Sequence, residues 1–199
     1  MRMKAPFSPH IQKNPNPRPW QVNEDPQKLD QALVAFLGRD GDKLLPEELK
    51  WLAVTHKSFD QGRRGFNDRL AFFGRQLCLL EATESIIISP KKYDTIPADP
   101  FAEEREPFED PSLRSVDNLS ITQPSELFTL DQLAKLAVAT GLSKVVRWKP
   151  RMHENLAGSG LPAVMASAVY ALVGAIALQN GAKTAGRIVR ERIIRKVRL

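Results

Sequence analysis

Side chains that commonly act in catalysis or bind metals are few in this 199-residue chain and lie far apart in sequence. His10, His56 and His153 do not recur at the spacing of metal ligands, so the sequence predicts no histidine metal centre. The single cysteine, Cys78, supports neither a disulfide nor a multi-cysteine zinc site, and its apolar surroundings predict a buried thiol. We expect His56 to be a structural hydrogen-bonding residue rather than a base, and we expect no cofactor.

Basic side chains carry the stronger chemical signal. The formal net charge of +6 favours an acidic partner, and nucleic acid is the leading candidate. Cations recur on all sides of the C-terminal segment and again around residues 57–64, and both groups suit contacts with RNA phosphates. A solvated surface is the alternative interpretation for each group. The candidate RNA-binding residues are Arg187, Arg190, Arg192, Arg195, Lys196, Arg198, Lys57, Arg63 and Arg64.

Apolar residues recur at helical spacing along most of the chain, which predicts an all-α fold without strands. The helix at 68–88 is apolar on nearly every side, a pattern typical of a helix at the centre of a fold or at an interface. The helix at 161–180 is expected to be buried rather than to span a membrane, because Pro162, Ser167 and Tyr170 interrupt its apolar stretch. The predicted helices cover 26–37, 46–54, 68–88, 125–140, 161–180 and 182–199, with Asn67 or Asp68 as the cap of the third and stops at Gly38 and Gly141.

Two segments depart from this helical pattern. Residues 1–27 form a Pro-rich basic arm, which we expect to be extended and either free or ordered by an RNA or protein partner. Its first twenty residues lack the apolar core of a secretory signal. Residues 89–124 form an acidic, Pro-rich insertion, which we expect to lie on a protein surface rather than on RNA. The remainder of 28–199 is predicted to be one domain that this insertion interrupts.

Two motifs resemble the ribonuclease III endonuclease domain. The first is Thr-His-Lys-Ser-Phe at 55–59 followed by Asn-Asp-Arg-Leu-Ala-Phe-Phe-Gly-Arg at 67–75. The second is Ala-Ser-Ala-Val-Tyr-Ala-Leu-Val-Gly-Ala-Ile at 166–176, and the segment at 133–142 looks like the family helix that precedes it. The resemblance covers roughly residues 29–89 and 125–199. It implies the helical fold of that domain, to which the arm and the insertion are additions.

The resemblance also implies a magnesium site that cleaves double-stranded RNA, formed by four acidic residues on two helices. In this sequence those positions are Ala71, Arg75, Ser167 and Tyr170. Magnesium prefers carboxylate and water oxygens, whereas these residues offer two neutral hydroxyls and a fixed positive charge. Asp68 is a carboxylate in the first motif, but one carboxylate cannot hold the metal alone. We therefore expect no catalytic residue, no metal and no enzymatic activity.

Ribonuclease III domains act as dimers, and the resemblance places Phe72 at the dimer interface, although burial in the core fits its spacing equally well. The arm, the insertion and the lack of a double-stranded-RNA-binding domain make the chain similar to the ribonuclease III-like proteins of the fungal mitochondrial large ribosomal subunit. That similarity implies a structural protein of the mitochondrial matrix that contacts rRNA and other large-subunit proteins. It also implies a heterodimer with a second ribonuclease III-like protein.

Two alternative functions stay open at this point. The chain could be a catalytically silent partner subunit of an RNA-processing ribonuclease III complex. It could also be an active endonuclease of double-stranded RNA that uses substitute ligands.

Overall fold

The computed structural model describes residues 20–90, 100–101, 104, 110 and 116–197. Within these ranges the regular structure is helical, apart from an isolated bridge between Thr55 and Arg147. The predicted all-α fold is therefore confirmed. The helices are α1 Pro26–Leu37, α2 Glu47–Ala53, α3 Asp68–Ile88, α4 Asn118–Ile121, α5 Leu130–Ala139, α6 Leu161–Asn180, α7 Ala182–Ile188 and α8 Arg195–Val197, with a π-helical segment Val189–Ile194 between the last two. Short 3-10 turns lie at Gly41–Lys43, Phe59–Gly62, Pro124–Phe128 and Leu142–Lys144.

Helix α6 is the centre of the fold. Every residue from Val164 to Ala177 is buried except Ser167, which is half-buried. Helices α2, α3, α5 and α7 pack around it. Among the described residues it is the one helix long and apolar enough to cross a membrane, and 72% of its most apolar stretch is buried inside the protein. The predicted buried helix at 161–180 is thus observed with the same bounds.

Helix α1 begins and ends where the sequence predicts. The Asp25 side chain accepts a hydrogen bond from the backbone N–H of Gln27 at 2.9 Å, and Pro26 occupies the first turn. Gly38 ends the helix with a φ of 99°, a conformation that side chains with a Cβ rarely adopt. The buried face of α1 therefore stops at Leu37 and the chain turns towards α2.

Helix α5 begins later than predicted. Its N-cap is Thr129, whose hydroxyl accepts a hydrogen bond from the backbone N–H of Gln132, while the Gln132 side chain accepts one from the Thr129 backbone N–H. This reciprocal capping box fixes the first residue of the helix at Leu130. The predicted start at residue 125 is wrong, because Pro124–Phe128 forms a separate 3-10 turn.

The two predicted additions meet the domain at defined places. The described end of the arm packs on the domain: the Trp20 ring contacts the Trp148 ring edge-on at a centroid distance of 5.6 Å. Residues 1–19 lie outside the described residues, as does most of 89–124. The described end of the insertion forms α4, where the Asn118 side-chain N–H donates to the carbonyl oxygens of Ile86 and Ser89 at the end of α3. The boundaries of the two additions stay predictions.

Candidate functional site

The two motifs meet where α3 crosses α6. A Cβ built on Gly74 would overlap the carbonyl oxygen of Tyr170, and one built on Gly174 would overlap the carbonyl oxygen of Leu70. The helices are antiparallel at this crossing, since Leu70 lies beside Gly174 and Gly74 beside Tyr170. This backbone-to-backbone packing at Gly74 and Gly174 brings the two motifs together.

The four positions that the motif resemblance assigns to the family's acidic residues lie around this crossing. Ala71 is on the buried face of α3, whereas Arg75 is exposed. Tyr170 is buried, and its ring contacts Phe128 edge-on at a centroid distance of 6.5 Å. Ser167 lies one turn before Tyr170 on α6, and its hydroxyl donates to the carbonyl oxygen of Val164 at 3.0 Å.

Electrostatics at these positions disfavour a cation. Burial raises the pKa of Tyr170 to about 12, and the Arg75 guanidinium only partly opposes that rise, so the phenol is neutral at physiological pH. The Ser167 hydroxyl donates its hydrogen bond to a carbonyl oxygen of its own helix. Arg75 adds a positive charge without an ion-pair partner among the described residues. These residues do not fit a magnesium ion, which requires several anionic oxygens.

Asp68, the carboxylate of the first motif, is also engaged elsewhere. Its Oδ2 pairs with the Lys57 Nζ at 3.1 Å. Within the part of the chain that the structure describes, no cluster of three or more histidine, cysteine, aspartate or glutamate side chains could hold a metal. We therefore derive no hydrolytic step for this site.

The remaining polar residues of the first motif connect α2 to α3. The His56 Nδ1 accepts a hydrogen bond from the backbone N–H of Ser58 at 3.2 Å, and burial is the main cause that lowers the pKa of His56. Asn67 precedes α3 as its N-cap residue, but its side chain makes no capping bond; it donates to the carbonyl oxygen of Ala53 at 3.0 Å instead. Its backbone N–H donates to the carbonyl oxygen of Thr55 at 2.9 Å. His56 is thus a structural hydrogen-bonding residue, as predicted.

Cys78 lies in the same helix, one turn beyond Gly74, and is fully buried. Burial raises the pKa of its thiol to about 12, so the thiolate is negligible at neutral pH. The prediction of a buried thiol is confirmed.

Helix α3 has a second apolar face that points away from the core. Phe72 is 71% exposed and Leu80 is 62% exposed, with Phe73 between them at 38%. The opposite face, which packs on α6, carries small residues such as Gly74. The structure therefore excludes the core interpretation of Phe72 and leaves it as part of an outward apolar face.

The C-terminal cations do not all face solvent freely. The Arg190 guanidinium pairs with the carboxylates of Glu81 and Glu84 on α3. The Arg192 guanidinium lies against the backbone of Gly38. Exposed residues without an ion pair among the described ones are Arg187, Arg195 and Lys196, whereas Arg198 lies outside the described residues.

The second predicted cation group is divided in the same way. Lys57 pairs with Asp68, and the Arg64 Nε pairs with the Asp60 Oδ2 at 3.3 Å. Arg63 is exposed and has no ion pair within the described ranges. Acidic neighbours therefore hold two of the three predicted cations and leave Arg63 available to a ligand.

Sequence reasoning missed the residue that joins this loop to the rest of the fold. The Arg147 guanidinium lies over the Trp51 ring, 3.7 Å from its centroid, and its Nε donates to the carbonyl oxygen of Asn23 at 3.1 Å. Burial lowers the pKa of Arg147, although the guanidinium keeps its charge. The available signal in the sequence is a basic residue directly before a tryptophan. That signal does not identify Trp51 and Asn23 as the contacts of Arg147, because both are distant in sequence.

Comparison with known proteins agrees with the geometry. Residues 46–197 match the family described as Ribonuclease-III-like. The chain is 48% identical over 197 residues to the Neurospora crassa protein named large ribosomal subunit protein mL57, an alignment that covers 98% of this chain and 73% of the relative. Two solved structures of the ribonuclease III nuclease domain from Campylobacter jejuni share the fold. One has a TM-score of 0.57 and 23% identity, covering 88% of this chain and 100% of the other. The second has a TM-score of 0.56 and 25% identity, covering 87% and 96%. The chain belongs to the ribonuclease III-like family.

Proposed function

We propose that this chain is a non-catalytic structural protein of the mitochondrial large ribosomal subunit and resides in the mitochondrial matrix. The observation that carries the proposal is its 48% identity, over 98% of its length, to a protein named as a constituent of the large ribosomal subunit. A protein in that role needs a stable scaffold and surfaces for RNA and protein. The helical core around α6 supplies the scaffold.

The proposed absence of catalysis rests on the residues at the α3–α6 crossing. A nuclease of this family would need anionic ligands where Ala71 and Tyr170 are buried and where Arg75 places a positive charge. The guanidinium repels a divalent cation, and the two hydroxyls cannot replace carboxylates. A structural constituent of the ribosome needs a stable folded domain, and it does not need to cleave RNA.

The proposed protein partner is a second ribonuclease III-like protein, which would cover the outward face of α3. Exposed aromatic and aliphatic side chains clustered on one helix face are typical of protein interfaces. Phe72 lies at its most exposed part, and Leu80 is two turns further along. Since α3 also forms the core contact with α6, this arrangement would join the partner directly to the centre of the fold.

We assign the proposed RNA contacts of the C-terminal segment to those cations that have no ion pair within the described part of the chain. Arg187, Arg195 and Lys196 are exposed and could neutralise rRNA phosphates. Arg190 is held by Glu81 and Glu84, so its first role is to tie the C-terminal segment to α3. This segment would therefore bind RNA while anchored to the same helix that carries the partner surface.

Gradient sedimentation of a mitochondrial lysate at low salt tests the proposal. The protein should travel with the large subunit, and it should stay with that subunit after the ribosome is dissociated by magnesium depletion. A protein that runs free of large subunits contradicts the proposal. A stable pair with an intact nuclease, separate from ribosomes, would assign the chain to an RNA-processing complex instead.

A further inference from the structure

We propose that a second basic surface, made of the 57–64 loop and the 147–151 segment, binds the phosphodiester backbone of RNA. We call it the loop–segment surface; its cations are Lys57, Arg63, Arg64, Lys149 and Arg151. The inference rests on the proposed ribosomal function and adds a contact that the C-terminal cations do not supply. It would give the protein two separate attachments to rRNA.

Backbone contacts hold the two parts of this surface together. The His56 backbone N–H donates to the carbonyl oxygen of Arg147 at 2.9 Å, and the Arg147 N–H donates to that of Val54 at 2.8 Å. Two residues further along the chain, the Lys149 backbone N–H donates to the Ser58 hydroxyl at 3.0 Å. Segments that are 91 residues apart in sequence therefore form one continuous surface.

The loop within this surface has an unusual backbone. Asp60, Gln61 and Gly62 have φ angles of 50°, 54° and 74°, so three successive residues are left-handed. Left-handed residues other than glycine persist only where their surroundings hold them, and they are found often at binding sites. Phe59 provides such a support, since the guanidinium carbons of Arg64 and Arg147 lie 5.9 and 6.0 Å from its ring centroid. These contacts hold the loop in one conformation, and Arg63 and Arg64 follow directly after its three left-handed residues.

Three of the cations are free to meet an anion. Arg63, Lys149 and Arg151 are exposed, and none has an ion pair among the described residues. Lys57 and Arg64 have acidic partners, but both pairs are exposed and therefore weak. Phosphates can add to or replace such pairs at little cost. Counting only the described residues, the surface therefore offers three cations without an ion pair and two whose ion pairs are weak.

The N-terminal arm begins at the edge of the same surface. Trp20 contacts the rings of Trp148 and His153, at centroid distances of 5.6 and 5.4 Å. Trp20, the first described residue of the chain, therefore packs beside the 147–151 segment of this surface.

Binding of the full chain to a short RNA hairpin, followed by fluorescence anisotropy over a range of salt concentrations, tests this inference. The test variant combines Arg63→Ala, Lys149→Ala and Arg151→Ala. Its affinity should fall by about tenfold or more, and its log–log salt slope should be smaller by about 2 to 3, since each lost phosphate contact removes roughly 0.9.

A matched control removes three exposed cations from other surfaces, through Arg39→Ala, Lys135→Ala and Lys183→Ala. It lowers the net charge equally and should keep most of the affinity. Equal losses in the two variants would show that net charge alone governs binding and would overturn the inference, as would unchanged affinity in the test variant. Tighter binding to a polyglutamate peptide than to the hairpin would assign the surface to an acidic protein.

A second measurement keeps the inference testable if the variant is unstable. Ultraviolet cross-linking of the unmodified protein to the hairpin should give cross-linked peptides from 57–64 and 147–153. Cross-links confined to the C-terminal segment would overturn the inference. The ribosomal proposal is judged separately by sedimentation of the unmodified protein, so either proposal can fail while the other stands.

Discussion

Gly74 and Gly174 face each other across the α3–α6 crossing, and neither position has room for a methyl group. A Cβ on Gly74 would lie 2.7 Å from the backbone nitrogen of Gly174, and one on Gly174 would lie 3.1 Å from that of Gly74. Each would also overlap a carbonyl oxygen of the opposite helix. Because the obstacles are backbone atoms, no side-chain rotation relieves them, and the two helices would have to separate.

Gly74→Ala and Gly174→Ala should therefore each lower the free energy of unfolding, at or above the upper end of the ~1–3 kcal/mol typical of overpacked cores. Urea denaturation measures this change. Gly65→Ala is the matched control: its Cβ would meet only the Leu52 side chain, at 3.1 Å, which can move. The control should stay within about 1 kcal/mol of the unmodified protein. Equal stability of all three variants would contradict the close crossing.

Phe72→Ala should weaken association with the ribonuclease III-like partner without destabilising the monomer. The side chain is 71% exposed, so little core packing is lost, whereas a central aromatic residue of an interface contributes about 2 kcal/mol or more to binding. Co-purification and sedimentation measure association, and thermal melting of the isolated chain measures stability. Val138→Ala on α5, which is 55% exposed, is the control. A Phe72 variant that melts much earlier but still pairs would contradict the proposed interface.

Restoring one acid should not restore cleavage. Ala71→Glu introduces a carboxylate at a buried position beside Arg75, while Ser167 and Tyr170 still supply no anionic ligand. We expect no magnesium-dependent cleavage of a long RNA duplex, assayed beside an active ribonuclease III. Measurable cleavage by this single variant, abolished by chelation of magnesium, would show that the α3–α6 crossing still assembles a metal site.

Stability should fall as the pH drops through the ordinary pKa of histidine. Burial lowers the pKa of His56 below 6.5, so the unfolded chain binds a proton more readily than the folded chain. The contribution of His56 to the free energy of unfolding is then fully present above pH 6.5 and decreases between 6.5 and the lowered pKa of the folded state. His56→Asn keeps a side-chain acceptor for the Ser58 N–H and should reduce this dependence. An unchanged pH dependence in the His56 variant would contradict the assignment.

Much of the fold follows from local signals in the sequence. Gly38 and the apolar run of α6 predicted their boundaries, because helix stops and buried helices depend on neighbouring residues. The start of α5 was missed because Thr129 and Gln132 form a capping box that displaces the start predicted at residue 125. A short local signature can thus be overlooked when the apolar pattern runs past it.

The candidate surfaces were harder to predict, because they depend on residues that are distant in sequence. The sequence shows an arginine at 63 and another at 190. It does not show that Arg63 has no ion pair among the described residues, whereas Arg190 pairs with Glu81 on α3. The contact of Trp20 with Trp148 joins the arm to a segment more than a hundred residues away. Only the folded chain distinguishes a cation available to RNA from one that stabilises the protein.

Helix α3 packs on the core with one face and exposes apolar side chains on the other, so the amount of protein that accumulates should depend on its partner. In the proposed pair, Phe72 and Leu80 are covered only once the second protein has arrived. A chain made in excess would keep an aromatic patch in water, where it invites aggregation or proteolysis. Its steady-state amount should therefore follow that of its companion, so that one helix matches supply to assembly.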